Sequence, residues 1–275
     1  LIHVPVPPST LLDQTGYPVT LTGIPKRIIS LVPSQTGLLH TLGLESETVG
    51  ITRFCIEPDA WYRTKTRVGG TKQVNHEIIR ELAPDLILGN KEENSQADVE
   101  ALRELYPVWL SDVITVGDAV SMIRQVGGMT GKGIEAEMLS FAIEAAYSRL
   151  QLSGRSGTPL RVAYLIWNEP LMAAGAGTFI HSMMQGCGWI NCFGNKDRYP
   201  LITEEELQEQ APDVILLSTE PYPFNRDHCQ RLSGSLGIRT ELVDGEAFSW
   251  YGPRMLQSFD QLTELDTALR MSSKG

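Results

Sequence analysis

The sequence predicts an α/β protein of two similar lobes linked by one long helix, and three observations carry that prediction. Glu77-Ile-Ile-Arg-Glu-Leu-Ala-Pro-Asp-Leu-Ile-Leu aligns without a gap on Glu205-Glu-Leu-Gln-Glu-Gln-Ala-Pro-Asp-Val-Ile-Leu, 128 residues further on. Self-similarity of this kind marks two units of like topology. Apolar runs led by arginine, Arg27-Ile-Ile-Ser-Leu-Val and Arg161-Val-Ala-Tyr-Leu-Ile, open the two halves in the same way. Between them, from Gly131 to Ser153, Ile134, Met138, Phe141, Ala145 and Tyr147 fall near helical spacing with no intervening proline, the pattern of one continuous helix. The expected organisation is an N-terminal lobe over 1–130, a connecting helix over 131–153 and a C-terminal lobe over 154–275. An unkinked helix resists bending, so the pair is expected to be rigid, without large hinge closure.

In chain order, prolines 5, 7 and 8 suggest a loose arm, followed by a hairpin from Leu11 to Thr22 around Gly16. Arg27 to Val32, bounded by Pro25 and Pro33, suits a strand buried on both faces. Ser34 then opens a helix carrying Leu38, Leu39 and Leu42, stopped by Gly43. Val49 to Thr52 is the next strand. Each Ala-Pro-Asp segment reads as a short helix stopped at proline and followed by a buried strand. Ser153 to Pro159 is a cluster of breakers at the entry to the second half.

Composition narrows the function. A formal charge of −10 and a pI near 5.0 exclude a nucleic-acid partner, since phosphate binding needs a basic surface. No apolar run reaches the length of a membrane span. Cys55, Cys187, Cys192 and Cys229 lack zinc-site spacing and read as free thiols rather than a Cys187–Cys192 disulfide. The five histidines are scattered, so no metal ligands are assigned. GxSxG, HExxH and P-loop motifs are absent, and Gly175-Ala-Gly-Thr lacks the third glycine of a dinucleotide loop. No catalytic residues are assigned, and an enzyme of unknown reaction stands only as a rival.

Taken together and in order, RIISLVPSQTGLLHTLGL, VGITRFCIEP, RVGGTKQVNHEIIRELAPDLIL, the long central helix, APDVILLS and SWYGPRM resemble the helical-backbone solute receptors of importers for cobalamin, siderophore-iron and haem. The resemblance implies two Rossmann-like lobes joined by a rigid helix, with a ligand cleft between them. It implies the solute-binding component of an ABC importer, a monomer that captures a metal chelate (cobalamin or a ferric siderophore) and delivers it to the membrane subunits. No catalytic cofactor is implied. The rival ligands are haem, with Tyr251 or His181 as candidate axial ligands, and a bare metal ion. The expected location is the periplasm or the outer side of the inner membrane. Because no signal is visible before His3, a cytosolic scavenger or sensor of the same fold stays open.

Ligands of open α/β sheets collect at the carboxyl ends of the strands. The corresponding loops offer Ser34, Gln35, Phe54, Thr71 and Lys91 in the first half, and Trp167, Tyr222, Trp250 and Tyr251 in the second. The second half thus supplies an aromatic wall, suited to a planar macrocycle or a catechol-type chelate. Trp250-Tyr251 lies beside Gly252-Pro253, where large rings have little structural reason to be exposed. Trp109 and Trp189 are expected in the core. Arg254 either meets an anionic ligand group or pairs with a carboxylate of its own lobe. The resemblance further implies that one glutamate per lobe, Glu77 and Glu205, docks into arginine pockets of the importer, although Glu204 and Glu206 flank the second. The bland reading is that each glutamate favours its helix N-terminus.

Overall fold

Two joints of the same construction organise the chain, and they explain the repeat. The computed structural model describes residues 9–154 and 157–272; the arm with prolines 5, 7 and 8 lies outside them. The described residues divide into two units. One holds those through 113, 117–141 and 251–253; the other holds 114–116, 142–250 and those from 254 on.

The first unit opens with an antiparallel hairpin, β1 (Ser9–Leu12) and β2 (Pro18–Leu21), turned at Gly16 with φ +84°, as expected. There follow β3 (Ile28–Ser30), α1 (Pro33–Thr41), β4 (Thr48–Ile51), α2 (Asp59–Thr64), β5 (Thr66–Arg67), α3 (His76–Leu82), β6 (Leu86–Asn90), α4 (Gln96–Arg103), β7 (Val108–Ser111) and α5 (Val116–Met129). The five strands β3–β7 form a parallel sheet in the order β5-β4-β3-β6-β7. All five residues of β6 are buried, as a strand covered on both faces requires. Ile29, Leu31, Ile79, Ile87, Val99 and Leu110 make the core around it.

Next comes α6 (Gly133–Gly154), then β8 (Arg161–Trp167), β9 (Met172–Ala173), α7 (Phe179–Gly186), β10 (Ile190–Asn191), α8 (Glu204–Gln210), β11 (Val214–Ser218), α9 (Arg226–Leu236), β12 (Thr240–Val243), α10 (Glu246–Ser249) and α11 (Met255–Ser272). The second sheet is parallel in the order β10-β8-β11-β12, with β9 antiparallel on β8. Ala163, Leu165, Phe193, Ile215, Leu217 and Leu232 fill its core. Trp109 and Trp189 are buried, as expected. All four cysteines are free thiols.

In each unit the Ala-Pro-Asp tripeptide is a joint. Ala83 and Ala211 end α3 and α8 in the left-handed region, at φ +41° and +45°. The next residue is proline, which disfavours right-handed helix at the residue before it. Asp85 then accepts hydrogen bonds from the backbone N–H of Lys26 and Arg27, both at 2.8 Å, and Asp213 accepts one from Arg161 N–H at 2.7 Å. The arginines return the contact: Arg27 Nε donates to Leu82 O at 2.7 Å, and Arg161 Nη2 donates to Gln210 O at 2.6 Å. These are carbonyls that a helix end leaves without intrahelical partners. Arginine-led strands and Ala-Pro-Asp therefore recur together because each supplies the other's missing partners.

Two local expectations change. Ser34 does not cap α1; Val32 is the N-cap, without a side-chain bond, and Pro33 sits in the first turn, where its missing N–H costs nothing. Along α6, Ile134, Met138 and Phe141 are the outward stripe (78%, 69% and 72% exposed), whereas Ala136, Ser140, Ile143, Ala146 and Leu150 are buried. Both faces carry apolar residues, so spacing identifies the helix but not its inner side, and the smaller residues allow the closer packing.

Candidate functional site

In both sheets every strand but β9 runs parallel, so their carboxyl ends share one edge, and the loops leaving that edge form a rim on each unit. On the first unit, Phe54 follows β4 and is 47% exposed. The Arg53 guanidinium carbon lies 5.0 Å from the centre of its ring. The turn after β5 carries Gly69 at φ +105°, a conformation that favours glycine. Arg53 N–H donates to Gly69 O at 2.9 Å, and Gly70 N–H donates to Gln73 O at 2.8 Å. Thr71, half-buried, is held when its carbonyl accepts from Asn94 Nδ2 at 3.0 Å. Lys72 Nζ donates to Glu92 O at 2.6 Å. Lys91 is exposed, and its ammonium pairs with Asp112 at 2.5 Å. Phe54, Thr71 and Lys91 therefore stand in loops beyond the carboxyl ends of the strands.

Gln35 and Tyr251 are enclosed instead. Gln35 is fully buried, and its amide N–H groups donate to Gly89 O at 2.8 Å and Ser111 Oγ at 2.9 Å, bracing β6 and β7. Ser34 is buried too, its Oγ accepting from Tyr251 N–H at 3.2 Å. Tyr251, expected as an exposed ring, is only 4% exposed and belongs to the first unit. Its hydroxyl faces Glu93 at 3.5 Å. Burial, with the Glu93 charge beside it, holds that phenol well above the usual tyrosine range. Partners remote in sequence explain the correction: Ser34 comes from the first turn of α1 and Glu93 from the loop after β6, and no local pattern around Gly252-Pro253 announces them.

On the second unit Trp167, Tyr222, Phe224 and His228 form a connected aromatic cluster, and Trp250 is tied to the same loop through Glu220. Trp167, at the end of β8, is 40% exposed and meets Tyr222 edge-on, ring centres 5.4 Å apart at 66°. Tyr222 leans in turn on Phe224 and His228, and its hydroxyl accepts from Asn168 Nδ2 at 3.4 Å. Trp250, half-buried, is fixed from the same loop that carries Tyr222. Glu220 Oε1 accepts from its indole N–H at 3.1 Å and from Ser249 Oγ at 2.7 Å. Glu220 is a positioning residue that sequence reasoning passed over; its place directly after β11 was the available signal. Arg254 takes the second of its two readings, pairing with Asp244 at 3.0 Å and Glu246 at 3.3 Å in its own unit.

The candidate docking glutamates occupy equivalent places. Each is the second residue of its helix, after the caps Asn75 and Thr203, and each is exposed. Of the three successive glutamates, Glu204 is committed to Arg231 and Ser235, at 2.6 and 3.1 Å. Glu206 closes the capping box with Thr203 and pairs with Lys196 at 2.7 Å. Glu205 is left facing solvent, its carboxyl held below the usual range by its own backbone amide and the Thr203 hydroxyl. The geometry therefore separates Glu205 from its neighbours, which the sequence left open.

Neither haem-ligand candidate is presented openly. Tyr251 is enclosed, and His181 is half-buried, its Nδ1 bonded to Asn191 at 3.0 Å and its pKa lowered by burial. Among the described residues no group of three or more His, Cys, Asp or Glu side chains could hold a metal ion, and no helix is long and apolar enough to cross a membrane.

Comparison with known proteins agrees with this architecture. A family model described as periplasmic binding protein matches residues 28–234. The vitamin B12-binding protein of Pectobacterium carotovorum subsp. carotovorum (strain PC1) is 25% identical over 256 residues, 92% of each chain. An uncharacterized ABC transporter substrate-binding lipoprotein, YvrC, of Bacillus subtilis (strain 168) is 25% identical over 270 residues, 94% of this chain and 85% of that one. Among solved structures, the periplasmic heme-binding protein RhuT from Roseiflexus sp. RS-1 superposes with a TM-score of 0.76 at 21% identity, covering 89% of this chain and 98% of the other; at that identity the likeness establishes the fold. With three quarters of its length matched by the family model, this two-unit α/β chain belongs to the periplasmic binding protein family, whose members bind and hand over solutes rather than transform them.

Proposed function

We propose that this chain is the solute-binding component of an ABC importer, working outside the cytoplasmic membrane as a monomer that carries a metal chelate to the membrane subunits. A corrinoid is the first candidate and a ferric siderophore the second. The observation that carries this reading is the aromatic wall on the second unit: Trp167 and Tyr222 in edge contact, with Trp250 held by Glu220 from the same loop. Rigid rings with a few fixed polar groups suit a broad, flat, partly apolar ligand. Phe54, Thr71 and Lys91 on the first unit are the accompanying contacts.

Haem ranks lower, because the Tyr251 phenol is buried and protonated and His181 is engaged with Asn191, leaving neither poised as an axial ligand. A bare ion ranks lower still, since a metal already wrapped by an organic ligand asks less of the protein. The relatives support a location outside the cytoplasm, one being a lipoprotein and one periplasmic, and give none for a cytosolic scavenger.

The test is titration of the full chain with cyanocobalamin, a ferric hydroxamate and haemin, followed by tryptophan fluorescence and visible absorbance. One ligand is expected to bind at micromolar affinity or better and to weaken at least about tenfold in Trp250→Ala, the loss of one well-packed aromatic contact. Binding untouched by Trp250→Ala would remove the wall from the site; no binding of any of the three would remove the carrier reading for these ligands.

A further inference from the structure

We infer that Arg53 is an anion contact for the ligand, selecting chelates that carry carboxylate or phosphate oxygens; this rests on the carrier reading above. Arg53 lies two residues beyond β4, on the same rim as Phe54 and Thr71. Its guanidinium is held before any ligand arrives. Phe54 lies against it, with 5.0 Å from guanidinium carbon to ring centre. Gly70 closes in from the neighbouring turn: a Cβ added there would stand 3.3 Å from both Nε and Nη2 of Arg53, and 3.2 Å from Phe54 Cε2. The bare Cα of Gly70 thus leaves room for the ring and the cation together.

Arg53 is also uncommitted. It makes no ion pair among the described residues, in a chain with 33 acidic side chains to 23 basic ones. Lys91 is occupied by Asp112, Lys72 by the Glu92 carbonyl, and Arg254 by Asp244 and Glu246. Arg67 stacks on Tyr62 and donates to Lys65 O. An exposed guanidinium that is stacked, weakly hydrated and short of a carboxylate offers a preorganised fork for two oxygens of one anionic group. Less ordering is then left to be done on binding.

The experiment compares two pairs of probes on the full chain. Haemin against its dimethyl ester isolates a carboxylate; cyanocobalamin against dicyanocobinamide removes a phosphate together with its ribose and benzimidazole, so in that pair the part of the margin lost in R53A reports the phosphate. In the pair that matches the natural ligand, the member that carries the carboxylate or phosphate is expected to bind roughly 10- to 100-fold more tightly than the member without it, the range of a charge-assisted hydrogen bond. R53A should erase that margin in the haemin pair, cut it about tenfold in the corrinoid pair, and leave the affinity of the member without the anionic group unchanged. R53K should keep only part of it, and G70A, which retains the charge but displaces the fork from Phe54, should also reduce it. Since Arg53 is exposed, thermal melts of R53A should match the parent. A margin undiminished by R53A, or no margin in either pair, overturns the inference while leaving the carrier reading intact. Failure of all four probes to bind overturns the inference, and overturns the carrier reading as well where the ferric hydroxamate also fails to bind.

Discussion

A carboxylate behind a tryptophan sets the position of one ring on the second unit, Trp250. Glu220 accepts from the Trp250 indole and from Ser249 with the same oxygen, so the ring is fixed by a charge-assisted bond as well as by packing. Glu220→Ala removes both bonds at a half-buried site, at a cost of about 1 kcal/mol in ring placement, and chelate affinity should drop roughly fivefold. Equal affinity in Glu220→Ala and the parent would show that packing alone orients Trp250. The glutamates of α8 give a sharper contrast. Charge reversal at Glu77 and Glu205 together should impair transport by the reconstituted importer and leave binding in solution unchanged. Reversal at Glu206 should instead lower the urea midpoint, since it breaks the capping box and the Lys196 pair. Undiminished transport by the Glu77/Glu205 double variant would remove the docking role. At this scale the sequence was only partly legible. Trp167 and Tyr222 could be placed in loops because Trp167 tops one apolar run that reads as a strand and Tyr222 lies four residues beyond another. Gln35 and Tyr251 could not, because their partners, Ser111 and Glu93, are brought to them by the sheet rather than by neighbouring residues. Arg53 escaped notice because a charged residue in a loop is ordinarily only solvated; what distinguishes it is the glycine packed on its far side.

For the secondary elements, the joint between helix end and strand start is the recurring unit of stability. Asp85→Ala leaves the N–H groups of Lys26 and Arg27 without their acceptor, and Asp213→Ala does the same to Arg161. These groups are near solvent, so each substitution should cost about 1 kcal/mol, read as a lower urea midpoint with an unchanged m-value. A loss below a few tenths of a kcal/mol at both sites would show that water replaces the carboxylate without penalty. The elements themselves were largely legible, because apolar runs flanked by proline and glycine mark buried strands, and Ala-Pro-Asp marks a helix stop. Two details resisted. The orientation of α6 was hidden because both its faces carry apolar residues. The cap of α1 was misassigned because Pro33 can start a helix without a side-chain cap, which frees Ser34 for Tyr251.

Across the whole molecule, several buried ionisable groups are held neutral, and their effects add in one direction. Burial raises Tyr164 and Tyr251 above the ordinary tyrosine range, and it lifts the Cys192 thiol from an ordinary 9.0 to about 11. In each case the folded state holds its proton more tightly than the unfolded chain does. That stability is therefore fully present below the ordinary values and is lost as pH rises. Denaturant midpoints should stay level through neutral pH and fall from about pH 9 upward, with Cys192→Ser making the fall shallower without moving its onset, because burial raises the Cys55 and Cys187 thiols too. A midpoint level to pH 11 would contradict the burial of these groups. The two-unit α/β architecture was the most legible level of all, because a repeat survives even where single residues mislead.

That repeat has a practical corollary. Since Arg27 and Arg161, Ala83 and Ala211, and Asp85 and Asp213 are counterparts, every substitution in one joint has a twin in the same polypeptide, exposed to the same solvent, temperature and denaturant. The difference between twins then reports only what each neighbourhood adds, so the molecule carries an internal reference against which its own energetics can be calibrated.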